Sequence, residues 1–193
     1  MSGYTGTLTE LLYGLNSPIT KNNWSAEAAF SGVAGTNSVC SLPAGYFAGE
    51  VPSPVGRPLY LVAMGTIANA SSATFASALG IDVTPGTKAN PTVMHTAYTP
   101  TAGVIAPFRI EAWLLCTAFA TNTISLQVNG YAQYESIASG GGPTTGRQTV
   151  GFSNLLTGID PRVQLYLELF GTWSAAAAAN QTVLQQMMLF GLD

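Results

Sequence analysis

The stretch Thr123-Ile124-Ser125-Leu126-Gln127-Val128-Asn129-Gly130-Tyr131-Ala132-Gln133-Tyr134-Glu135-Ser136 alternates with a period of two over its whole length. Ile124, Leu126, Val128, Gly130, Ala132 and Tyr134 fall on one side; Ser125, Gln127, Asn129, Tyr131, Gln133 and Glu135 fall on the other. A pleated strand sends successive side chains to opposite faces, so this segment is a strand with one face in a core and one in water. Just before it, residues 108–119 form the longest apolar strand of the chain, and the short turn at Thr121-Asn122 joins the two as an antiparallel pair.

The same period continues outward. Val163, Leu165, Leu167 and Leu169 oppose Gln164, Tyr166, Glu168 and Phe170, and residues 181–192 close the chain. Upstream, residues 59–67 and 73–83 are rich in apolar and β-branched residues, and a turn follows at Thr84-Pro85-Gly86. The glycine-rich stretch 139–146 has strand-like sequence on both sides and reads as a loop within one domain. The alanine run 175–179 is too short to hold a helix and reads as a loop or single turn between the last two strands. Six to eight strands separated by turns predict an all-β fold: a two-sheet antiparallel β-sandwich of jelly-roll type.

One segment departs from this period. Leu8, Leu11, Leu12 and Leu15 fall at i, i+3, i+4 and i+7, with Thr7 and Glu10 spaced as a capping box. They predict a short amphipathic helix in an N-terminal docking arm, residues 1–40, ahead of a sandwich domain, residues 41–193. The four leucines are its expected contact stripe, against an adjacent subunit or the surface of a larger assembly. Trp24 and Phe30 are expected anchors within the arm.

Composition narrows the partners. Charged residues make up 8% of the chain and hydrophobic residues 47%, against a usual charged share of about 25%. Six basic residues scattered through 193, and a net charge of −3, provide no stripe able to neutralise several phosphates, so neither nucleic acid nor an anionic membrane is an expected partner. No apolar run reaches the roughly 18 residues of a spanning helix. The first residues do not read as a secretory signal, so the chain is expected to be made and kept in the cytoplasm, with Cys40 and Cys116 as buried free thiols.

Residues 42–47, Leu-Pro-Ala-Gly-Tyr-Phe, and 56–65, Gly-Arg-Pro-Leu-Tyr-Leu-Val-Ala-Met-Gly, resemble the opening of jelly-roll virion proteins encoded by phages of actinobacteria. Phe108-Arg109-Ile110-Glu111-Ala112-Trp113 and a closing pair, 163–173 and 182–190, extend the resemblance over roughly residues 40–193. Similar sequences occur in head decoration proteins, head fibres and minor tail proteins. The resemblance implies a β-sandwich, assembly as a homotrimer, and attachment to the major capsid protein on the outer surface of a virion. The expected function is therefore a structural head decoration protein; the alternative is a receptor- or glycan-binding module of a tail or head fibre, with a host-surface glycan as partner.

Chemistry-bearing residues offer little against this. His95 is the only histidine and sits between proline-marked turns, where a satisfied loop or strand-end histidine is expected. Of the acids, Asp82, Glu111, Glu135, Asp160 and Glu168 lie in or beside strands and are expected to be solvated or paired with Arg109 and Arg162. The chain is expected to be no enzyme and to use no cofactor or metal. Strand 108–119 is apolar on both faces: Ile110, Ala112, Leu114 and Cys116 on one, Trp113, Leu115 and Phe119 on the other. A second cover is required. Tyr131, Tyr166, Phe170 and Trp173 suit sugar stacking or subunit packing, with packing preferred. Trp113, Leu115, Phe119, Tyr166 and Phe170 are thus the expected oligomer interface.

Overall fold

The computed structural model describes residues 9–15, 17–31, 40–47, 58–69, 73–87, 90–100, 102–136 and 146–192. All regular structure among them is strand. In chain order the strands are β1 (Thr9–Gly14), β2 (Ile19–Asn22), β3 (Ala28–Ala29), β4 (Cys40–Leu42), β5 (Pro58–Ala68) and β6 (Phe75–Asp82). They continue as β7 (Asn90–Tyr98), β8 (Ile105–Ala120), β9 (Thr123–Ser136), β10 (Gly146–Ile159), β11 (Leu165–Trp173) and β12 (Gln181–Leu192). The large sheet runs β1-β12-β5-β8-β9-β10, with β2 also on β12; the small sheet runs β3-β11-β6-β7, with β4 also on β11. Every pairing is antiparallel.

The pairings are nested. Taking β1, β4, β5, β6, β7, β8, β11 and β12 as eight successive strands, first pairs with last and second with seventh, while third pairs with sixth and fourth with fifth. That is a jelly roll. The β9–β10 hairpin is an addition to it, extending the large sheet beyond β8. At the far edge β10 meets the small sheet through side chains, with Asn154 Nδ2 donating to the Pro91 carbonyl at 3.3 Å.

The core lies between the sheets, where alternation places Leu59, Leu61, Ala63 and Ile67 of β5 and Phe108, Ile110, Ala112, Leu114 and Cys116 of β8. Ile124, Leu126, Val128, Ala132 and Tyr134 of β9 join them, facing Leu165, Leu167, Leu169 and Trp173 of β11. Trp24 and Phe30 anchor the start of the chain as expected, both buried and both with rings against Phe75. Cys40 and Cys116 are buried free thiols. The alanine run is a loop, closed by Asn180 Nδ2 donating to the Ala175 carbonyl at 2.8 Å.

The N-terminal helix is corrected: residues 9–14 form strand β1 on β12. Leu11 pairs with Phe190 and Tyr13 with Leu189, so Leu12 is an extra residue in a bulge. A bulge slips the period of two by one, which over seven residues imitates the helical spacing of the leucines. A two-turn helix has little stability of its own, whereas the β12 edge offers a ready ladder of hydrogen bonds. Leu12 and Leu15 pack against the core, Leu11 is 57% exposed, and Leu8 lies outside the described residues. The stripe is therefore divided. With β2 also on β12 and β3 on β11, the described part of the arm is stitched into both sheets.

Candidate functional site: the outer face of the large sheet

Side chains that point away from the core on β1, β12, β5 and β8 should be polar if water covers them, yet around Tyr60 and Trp113 they are largely apolar. Across one row of the sheet, Leu11, Phe190, Tyr60 and Trp113 are register neighbours. The Tyr60 ring lies 6.2 Å from Phe190 at 23° and 5.1 Å from Trp113 at 33°. Met188 and Val62 pair in the adjacent row, and Pro58 and Leu115 pair on the opposite side. Trp113 is 41% and Leu115 38% exposed.

A carboxylate is sunk into this apolar area. Glu111 is almost fully buried, although it points outward. Tyr60 Oη donates to its Oε2 at 2.6 Å, Arg109 Nε donates to its Oε1 at 2.5 Å, and the Tyr131 hydroxyl also bonds it. Burial alone would raise the carboxyl pKa. The hydrogen bonds from Tyr131, Tyr60 and Arg109, with the Arg109 charge, outweigh it and hold Glu111 below the usual carboxylate range. Burial, then the bond to Glu111, pushes the Tyr60 hydroxyl up to about 12. The network neutralises a charge and fixes the rings.

The β9–β10 half of the same face differs. Gln127, Asn129 and Ser153 form a hydrogen-bonded triangle: Ser153 Oγ donates to Asn129 Oδ1 at 2.7 Å, and Gln127 Nε2 lies 3.2 Å from Asn129 Oδ1 and 3.1 Å from Ser153 Oγ. Asn129 is the register partner of both Trp113 and Ser153, so the triangle adjoins the aromatic row. Arg147 pairs with Glu135 at 2.9 Å, again without a net charge.

Comparison with protein families, with curated proteins and with solved structures finds no match to this chain.

The expected interface residues do not all meet. Trp113 and Leu115 share the outer face of the large sheet. Phe119 does not, because the bulge between Cys116 and Ala118 shifts the alternation and makes it the register partner of the core residue Ile124. Tyr166 and Phe170 are on β11 of the small sheet, where Phe170 is buried. Trp173 is in the core, so the aromatic set of Tyr131, Tyr166, Phe170 and Trp173 lines no common surface. Tyr60 and Phe190 were the partners missed. The available signal was that β5 and β12, like β8, carry apolar residues at outward positions.

Of the acids, Glu111 pairs with Arg109 and Asp160 with Arg162 as expected, the latter at 2.7 Å. Glu168 is instead buried on the small sheet, its pKa raised by burial, accepting from the Gly86 amide at 2.5 Å. His95 is within β7 rather than at a strand end or in a loop. It is buried against Tyr98 and Tyr134, with ring centroids at 6.0 and 5.1 Å, because β7 forms the small-sheet edge that faces β9 and β10. Among the described residues no group of three His, Cys, Asp or Glu side chains is placed to hold a metal, and no helix is long and apolar enough to cross a membrane.

Proposed function

We propose that this chain is a structural subunit of a tailed-phage virion, a head decoration protein that associates with copies of itself through the β1-β12-β5-β8 half of the outer face. The observation that carries the reading is the continuous apolar area Leu11–Phe190–Tyr60–Trp113 with Leu115, whose embedded carboxylate is neutralised within the same chain. Four strands about 4.8 Å apart and seven residues at about 3.3 Å give a footprint on the order of 450 Å² in projection. Side-chain relief carries the accessible area toward the roughly 800 Å² per partner of a stable interface. A second copy suits it because the charges described on this face, Arg109 and Glu111, are paired with each other and are not left to repel their like. Aromatic rings held rigid by neighbours bury large area at low entropy cost.

The sequence resemblance supports the virion class, and with it a trimer and the major capsid protein as the surface decorated. The test is mass spectrometry of purified particles of a phage that encodes the chain. A copy number comparable with that of the shell subunit is expected; absence from the particle overturns the reading. A few copies confined to the tail would support the second reading, a receptor- or glycan-binding fibre module, which the amide and hydroxyl groups of β9 and β10 favour.

A further inference from the structure

On the polar half of the large sheet's outer face, Gln127, Asn129 and Ser153 are tied into one triangle across β9 and β10. These bonds occupy Asn129 Oδ1 twice, along with Gln127 Nε2 and Ser153 Oγ. They leave the two N–H donors of Asn129 Nδ2 and the acceptor Gln127 Oε1 unused. Donors and acceptor are thus held side by side in fixed orientation, and a ligand bonding them has less rotamer entropy to remove.

Two aromatic rings adjoin the triangle. Trp113 is the cross-strand neighbour of Asn129, and Tyr131 follows two residues after it on the same face, 6.2 Å from Trp113 between ring centroids. The charges nearby are paired within the chain, Arg109 with Glu111 and Arg147 with Glu135. Among the described residues of this region, a phosphate, sulfate or carboxylate would meet only cations already paired. The matching chemistry is a neutral molecule with an apolar C–H face for an aromatic ring and adjacent hydroxyls that both donate and accept.

We propose that Gln127, Asn129 and Ser153, with the flanking rings of Tyr131 and Trp113, form a binding site for a neutral pyranose oligosaccharide. Asn129 Nδ2 donates to one hydroxyl oxygen, Gln127 Oε1 accepts from its neighbour, and a ring C–H face rests on the aromatic edge of the triangle. Ser153 touches no sugar; it positions the Asn129 amide by donating to Oδ1. Gln127, Asn129, Tyr131 and Ser153 lie on the added hairpin, outside the four strands assigned to self-association, whereas Trp113 on β8 belongs to that area, so where a second copy covers Trp113 the sugar face rests on Tyr131 alone.

The test is titration of the full-length chain with cellohexaose, mannohexaose and a linear galactan fragment, each followed by calorimetry and by amide chemical shifts, with a heparin fragment as charged control. Saturable binding of at least one neutral probe, with shifts centred on residues 127, 129, 131 and 153, is expected. Asn129→Asp, of the same shape but without the donors, should weaken it about tenfold or more with unchanged sedimentation and thermal unfolding. Ser153→Ala should weaken it severalfold, through disorder of the Asn129 amide rather than loss of a contact. Three results overturn the proposal: no saturable binding of any neutral probe at millimolar sugar, binding that Asn129→Asp leaves unchanged, or binding of the heparin fragment alone.

Discussion

The two halves of the large sheet's outer face share one backbone geometry and one alternation, yet present opposite chemistry. On β1, β12, β5 and β8 the outward positions include Leu11, Phe190, Tyr60, Trp113 and Leu115 around the paired Arg109 and Glu111; on β9 and β10 they include Gln127, Asn129, Gln133, Thr149 and Ser153, with Leu155 as an exposed apolar exception. Inward positions are apolar on both sides of the boundary. The sandwich's own stability does not require this difference, since either half would cover the core equally well. What differs is the medium expected outside: another protein surface over the jelly-roll strands, water and small polar molecules over the added hairpin.

The largest effect is expected where the halves join. Gly130 of β9 pairs with Ala112 of β8, and a Cβ there would meet the Glu111 carbonyl oxygen at 2.1 Å and the Phe152 ring at 2.6 Å. Backbone cannot yield as a flexible side chain can. Gly130→Ala should therefore cost roughly 2–4 kcal/mol in urea unfolding, through overpacking that forces β9 and β10 away from β8. Retained wild-type stability would mean that the hairpin is joined more loosely than the register implies.

Trp113→Asp is next. A charge at the centre of the apolar half should weaken self-association by about 2 kcal/mol or more, roughly thirtyfold, as read by sedimentation equilibrium. Asn129→Asp also adds a negative charge, one register position away on β9, and should leave the assembly unchanged. Equal loss in both variants would erase the proposed boundary.

Glu111→Gln tests the buried clamp. The pinned carboxylate stabilises the fold above the ordinary carboxylate range, a contribution lost as pH falls through its lowered pKa. Its replacement should cost about 1–2 kcal/mol at neutral pH, moderated by the exposure of Arg109, and should bring the Tyr60 titration down from about 12 in ultraviolet absorbance. An unmoved tyrosine titration would assign that shift to burial alone.

The smallest effect concerns the seam between β7 and β10. Burial lowers the His95 pKa, against hydrogen bonds with Gln148 and the Phe75 backbone. The unfolded chain then binds the proton more readily, so stability should be complete above the usual histidine pKa and decline as pH falls below it. A modest drop in thermal midpoint between neutral and mildly acid pH should be reduced in His95→Gln. An identical slope in that variant would move the effect to other groups.

Much of the sandwich was legible because β8, β9, β11 and β12 carry long runs in a period of two, and the Thr121-Asn122 turn fixes the register of the first pair. The N-terminal leucines misled for a physical reason: a seven-residue pattern cannot separate one helical face from a strand bulged at Leu12, and the edge of β12 decides between them. His95 was misplaced because flanking prolines mark turns only when the intervening strand is short. Half of the candidate surface could be read, since strand 108–119 shows apolar residues on both faces. Tyr60 and Phe190 could not be joined to Trp113 without the order β12-β5-β8, which is set by pairings between strands far apart in sequence.

Sedimentation velocity of the full chain across the micromolar range tests the central claim most directly. If the apolar half is a self-association surface, the protein sediments as one stable oligomer, a trimer, with no monomer on dilution, and Trp113→Asp releases monomer. A wild-type chain that remains a monomer at every concentration would contradict it.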